Sequence, residues 1–91
     1  MEKYLIVIGK SEHNYGAYSP DVPGCIATGQ TVEETIARMK EALEFHLNGM
    51  AEDGDPLPEP RGLRFYLNQS EPIAQPDDLL TQVEVRLPEA V

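Results

Sequence analysis

The sequence predicts a small α+β domain with the element order β-β-β-α-β. Three observations carry that expectation. Short strand-like apolar segments fill Lys3–Gly9, Tyr15–Ser19 and Cys25–Gln30, with short turn-rich connections between them. A capped stretch of helical period starts at Thr31, and a last alternating segment runs over Thr81–Leu87. Alternation at period two marks strands, and a stripe near period 3.6 marks a helix.

In the first strand Tyr4, Ile6 and Ile8 point one way and Leu5 and Val7 the other. Both faces are apolar, which predicts a central strand covered on both sides. Ser11–Asn14 is a polar turn, and Tyr15–Ser19 resumes as the second strand. Pro20-Asp21-Val22-Pro23-Gly24 is a dense turn signal, because each proline holds φ near −65° and Gly24 can take positive φ. The third strand is expected from Cys25 to Gln30. Short loops between consecutive strands favour an antiparallel meander.

Thr31 is a good N-cap, and Glu34 three residues later completes a capping box. Val32, Ile36, Met39, Leu43, Leu47 and Met50 form one apolar stripe at helical spacing. Glu34 and Arg38 are spaced to pair across one turn of the exposed side. Gly49 lies inside the helix, Gly54 is the expected C′ residue and Pro56 the stop. Phe45 projects nearly opposite the stripe, and His46 lies at its edge. The run Asp55–Pro60, DPLPEP, reads as a stiff extended connector. Arg61–Asp78 is the least legible part: Gly62–Gln69 reads as a short helix or an extended piece, and Asp77-Asp78 as the start of a helical turn through Leu80. In Thr81–Leu87, Val83, Val85 and Leu87 share one face while Glu84 and Arg86 take the other, and Pro88 ends the strand. The expected organisation is one domain over residues 1–91, with a core from 3–60 plus 81–87 and an irregular or short-helical 61–80.

This order carries a physical constraint. One main helix covers one face of the first strand. The other face must be covered by residues 61–80, by a second copy of the chain or by a partner.

Sixteen acidic residues against seven basic give a formal charge of −9. Such a chain repels nucleic-acid phosphates and attracts basic proteins. Cys25 is the only cysteine, so an internal disulfide is excluded and a reducing compartment suits the chain. No apolar run approaches the ~20 residues of a membrane span. A cytoplasmic location is expected. Cys25 with His13 or His46 as base is the only thiol arrangement available, and a strand-start cysteine after Pro-Gly is more often a small buried hydrophobe. The histidines and single cysteine lack zinc-site spacing. The early strands carry no interior carboxylates for a two-metal nuclease, and Asp21 sits in a turn. No cofactor, metal or catalytic residue is expected.

The run Tyr18-Ser-Pro-Asp-Val-Pro-Gly-Cys25, then Ala27-Thr-Gly-Gln-Thr-Val-Glu-Glu34 and a helix with Glu44-Phe-His-Leu47, resembles the HicB-like antitoxin family. The apolar strand before it and Pro56-Leu-Pro-Glu-Pro60 after the helix also fit. The resemblance implies a last strand beside the first, in a partial RNase H-like fold without its catalytic carboxylates. It implies an antitoxin that covers the active surface of a small basic toxin, a HicA-type mRNA endonuclease, and that forms dimers or tetramers. Tyr18, Ser19, Asp21 and Pro23 are the family's turn signature, suited to a structural role at least as well as to contact, and Phe45 is the interface candidate. Many relatives carry a C-terminal DNA-binding module. Only Pro88-Glu-Ala-Val91 follows the last strand in this sequence, so no such module is expected within it. Two further readings stay open on sequence: an orphan self-associating regulatory or scaffold protein, and a residual RNase H-like nuclease dependent on Asp21.

Overall fold

The computed structural model describes residues 2–88. Met1 and the closing Glu89-Ala90-Val91, on which the expected chain end rests, lie outside the described residues. Three strands lead the chain: β1 (Glu2–Lys10), β2 (Tyr15–Ser19) and β3 (Val22–Gly29). The long helix α1 (Val32–Glu52), a short helix α2 (Gly62–Leu67) and the last strand β4 (Leu79–Val85) follow. The sheet order is β3-β2-β1-β4, antiparallel throughout, so β1 is central and β4 lies beside it as the resemblance implied.

One face of the sheet carries Tyr4, Ile6, Ile8, Ala17, Cys25, Val83 and Val85, and α1 packs Met39, Leu43 and Leu47 into it. All three α1 side chains are fully buried. Each such burial stabilises the fold by about 1.5–3 kcal/mol. Val32, Ile36 and Met50 lie partly buried at the margin of this core. Thr35, outside the expected stripe, is completely buried and returns its Oγ1 to the Thr31 carbonyl at 2.7 Å.

The helix ends follow the capping chemistry. Thr31 Oγ1 accepts from the Glu34 N–H at 3.0 Å, and Glu34 reaches the N–H of Gln30, one residue outside the cap, at 3.4 Å. Glu34 also pairs with Arg38 at 3.0 Å. At the other end the Gly54 N–H donates to the Ala51 carbonyl and the Asp55 N–H to that of Met50, with Gly54 at φ 77°. That is a Schellman closure.

Three boundaries differ from expectation. β3 begins at Val22 rather than Cys25, because Pro20 and Asp21 alone make the turn and Ser19 pairs with Val22. The register then jumps, with Tyr18 opposite Ile26, so Pro23, Gly24 and Cys25 form a bulge that Gly24 closes at φ 88°. Pro23 is tolerated there because β3 is an edge strand. Asp77-Asp78 does not start a helical turn. Asp78 instead bonds back to Gln75 through its N–H and its carboxylate, and β4 starts at Leu79 and stops at Val85, two residues before Leu87. Gly62–Gln69 resolves as a helix, shorter than the segment, over Gly62–Leu67.

Leu5 and Val7, on the second face of β1, are also buried. Their cover comes from residues of 61–80 in the same chain: α2 contacts β1, and the Tyr18 hydroxyl donates to the Ile73 carbonyl. The cover is incomplete, since Tyr18 and Leu80, the cross-strand neighbours of Val7, remain more than a third exposed.

Candidate functional site

Of the residues in the Tyr18–Pro23 turn signature, two face inward. Ser19 is buried and donates from Oγ to the Leu5 carbonyl at 2.8 Å, fastening β2 to β1. Asp21 is only 7% exposed. Its Oδ1 accepts from the Arg61 backbone N–H at 3.1 Å and from the Tyr66 hydroxyl at 2.5 Å. The turn thus anchors the end of the proline connector and the start of α2. Arg61 and Tyr66 escaped sequence reasoning, because partners 40 and 45 residues away leave no local signal.

Burial, first, and the bond to Asp21, second, push the Tyr66 phenol up to about 12. Tyr66 therefore remains a proton donor across the ordinary pH range. Tyr4 donates to the Pro58 carbonyl at 2.7 Å, so the same connector is tied down from the sheet side. Pro23 is exposed, while Tyr18 is 38% exposed beside Val7 with its hydroxyl donating to the Ile73 carbonyl.

Phe45 lies where helical spacing put it, on the far side from the core stripe, and is 83% exposed. Ile26, which sequence reasoning did not single out, is 70% exposed on β3. Both line a shallow groove along the sheet edge with Ala27, Ala42, Arg38 and Glu41. The available signal was alternation: Cys25 and Ala27 face the core, which turns Ile26 outward. β3 itself carries no charged residue from Val22 to Gly29. Edge strands are usually blunted by charge, so an uncharged edge beside two exposed large apolar side chains has the composition of a contact surface.

Cys25 is buried, and burial pushes its thiol up, away from the reactive thiolate. His13 is fully in solvent beside Glu12. Among the described residues no cluster of three His, Cys, Asp or Glu side chains is placed to hold a metal ion, and no helix is long and apolar enough to cross a membrane.

The family profile described as HicB_like antitoxin of bacterial toxin-antitoxin system matches residues 4–88. The chain belongs to the HicB-like antitoxin family. An uncharacterized 14.9 kDa protein from the rep-hol intergenic region of Haemophilus phage HP1 is 40% identical over 84 residues. That match covers 92% of this chain and 61% of the phage protein, so the chain spans about three fifths of that relative. The N-terminal domain of the Burkholderia pseudomallei antitoxin HicB superposes with a TM-score of 0.74 at 23% identity, covering 93% of this chain and 99% of that one. A chain from a HicA3 and HicB3 toxin-antitoxin complex superposes with a TM-score of 0.71 at 26% identity, covering 92% and 98%. The β4-beside-β1 sheet with its long helix is therefore the HicB-like arrangement.

Proposed function

We propose that this HicB-like chain neutralises a small basic toxin, a HicA-type mRNA endonuclease, by covering its active surface. In this reading residues 1–91 act as one domain and carry no catalytic step of their own. The observation that carries it is the Ile26–Phe45 groove: exposed apolar side chains on an uncharged sheet edge of a molecule with charge −9. The acidic surface steers a basic partner, and the groove supplies the apolar contact that holds it. Tyr18 and Pro23 keep exposed surface where contact is available, while Ser19 and Asp21 hold the turn by buried hydrogen bonds.

The test is co-expression with the small basic protein encoded beside this chain. Relief of growth arrest and co-purification are expected. A Phe45→Glu, Ile26→Glu double variant should lose both while remaining folded, since neither side chain is part of the core. Arrest that the chain does not relieve, with no co-purification, removes the reading. The uncharged edge of β3 also favours a second reading, pairing with another copy into a dimer or tetramer. Sedimentation of wild type and double variant separates the two, because self-pairing changes the mass without any toxin present.

A further inference from the structure

Asp21 is the only buried carboxylate among the described residues, and half of it is unused. Both donors to the group fall on Oδ1 and both are neutral, a backbone N–H and a phenol. Oδ2 is buried with no hydrogen-bond partner in the structure. No ion pair reaches Asp21 among the described residues. The side chain of Arg61, whose amide bonds Oδ1, lies instead over the Phe65 ring, 4.6 Å from its centroid. Buried polar atoms are normally satisfied, and buried charges are normally paired. The exception here borders a cleft of about 680 Å³.

We propose that this cleft receives an arginine side chain of a basic protein partner, whose guanidinium donates to Asp21 Oδ2. The walls suit that group. Pro20, Pro23, Pro58 and Pro60 present flat apolar rings, Tyr66 adds an aromatic one, and Glu59 places a second carboxylate on the exposed rim. A planar, weakly hydrated guanidinium is less costly to desolvate against such walls than an ammonium. Arg61 over Phe65 shows the same stacking already in use within the cleft. A metal ion fits poorly, since no three-ligand group exists among the described residues. Oδ2 is covered in the unbound chain, so the guanidinium reaches it only as the side chains over it part. The Arg61 amide, bonded to the other oxygen, becomes the reporter. The identity of the partner rests on the antitoxin reading; the chemistry of the cleft does not.

The experiment is a titration of the full chain, followed by amide NMR, with hexa-arginine, hexalysine and hexacitrulline peptides. Saturable shifts at Asp21, Arg61 and Tyr66 are expected with arginine, weaker ones with lysine and none with citrulline. Asp21→Asn keeps the Oδ1 acceptor but removes the charge, and should weaken arginine binding at least about tenfold, the size of one lost charged hydrogen bond. Tyr66→Phe keeps the charge and should retain binding. Shifts spread over the acidic surface with the Arg61 amide silent overturn the proposal, as does equal loss in both variants. Should Asp21→Asn fail to fold, the position of the wild-type shifts alone decides. Localised arginine binding without toxin co-purification would remove the antitoxin reading and leave the site. Co-purification with a silent cleft would do the reverse.

Discussion

At the scale of single residues, two glycines with the same letter have opposite requirements. A methyl group on Gly29 would lie 2.6 Å from Thr35 Oγ1 and 2.8 Å from the Thr35 backbone nitrogen, so β3 can meet the first turn of α1 only without a side chain. Gly29→Ala should lower stability by about 1–3 kcal/mol, the usual cost of overpacking. At Gly49 an added methyl meets nothing within 4 Å, and the position is helical. Gly49→Ala should therefore raise stability by up to about 1 kcal/mol. Urea denaturation of the two variants checks both signs. Tyr66 makes a pH prediction. Its phenol is raised from an ordinary 10 to about 12 in the folded chain. Its contribution is thus fully present below pH 10, where folded and unfolded states both hold the proton. It is lost as pH rises through about 12, because the unfolded chain releases the proton first. Tyr66→Phe should be less stable than wild type by about 1 kcal/mol at neutral pH. That gap should close in urea titrations run across the alkaline range. Sequence reading placed Asp21 in its turn and Phe45 on the outer face of the helix. It missed Arg61, Tyr66 and Ile26, whose roles come from neighbours distant in the chain.

At the scale of elements, α1 was legible because its signals are local and redundant. The Thr31 cap, the stripe through Met39, Leu43 and Leu47, and the Gly54 closure each lie within a few residues of the groups they satisfy. Thr31→Ala should cost about 1 kcal/mol in thermal or urea unfolding, with helix content retained at low temperature. β3 was less legible because its first half breaks strand rules. Pro23 lacks a donor and Gly24 is left-handed, so the segment reads as turn even though Ser19–Val22 pairing has already begun. α2 has no capping side chain and no buried residue, which explains why its sequence did not decide between helix and extended chain.

At the scale of the whole molecule, two sequence-level arguments meet. A first strand apolar on both faces required two covers, and the chain supplies one from α1 and part of the other from residues of 61–80. A charge of −9 requires that a basic partner bind in a salt-dependent way. On the proposed antitoxin reading, stopped-flow association with a HicA-type toxin should slow steeply as ionic strength rises. Dissociation, which that reading assigns to the Ile26–Phe45 groove, should change little. Pairing runs from Glu2 opposite Val85 to Ile8 opposite Leu79, so the hydrogen-bonding edge of β1 is closed by a strand that follows α1 and α2 in the chain. During synthesis the first strand must therefore wait, with Leu5 and Val7 unprotected, until Leu79–Val85 has left the ribosome. A nascent chain halted at Pro60 should be captured by chaperones or proteases rather than fold.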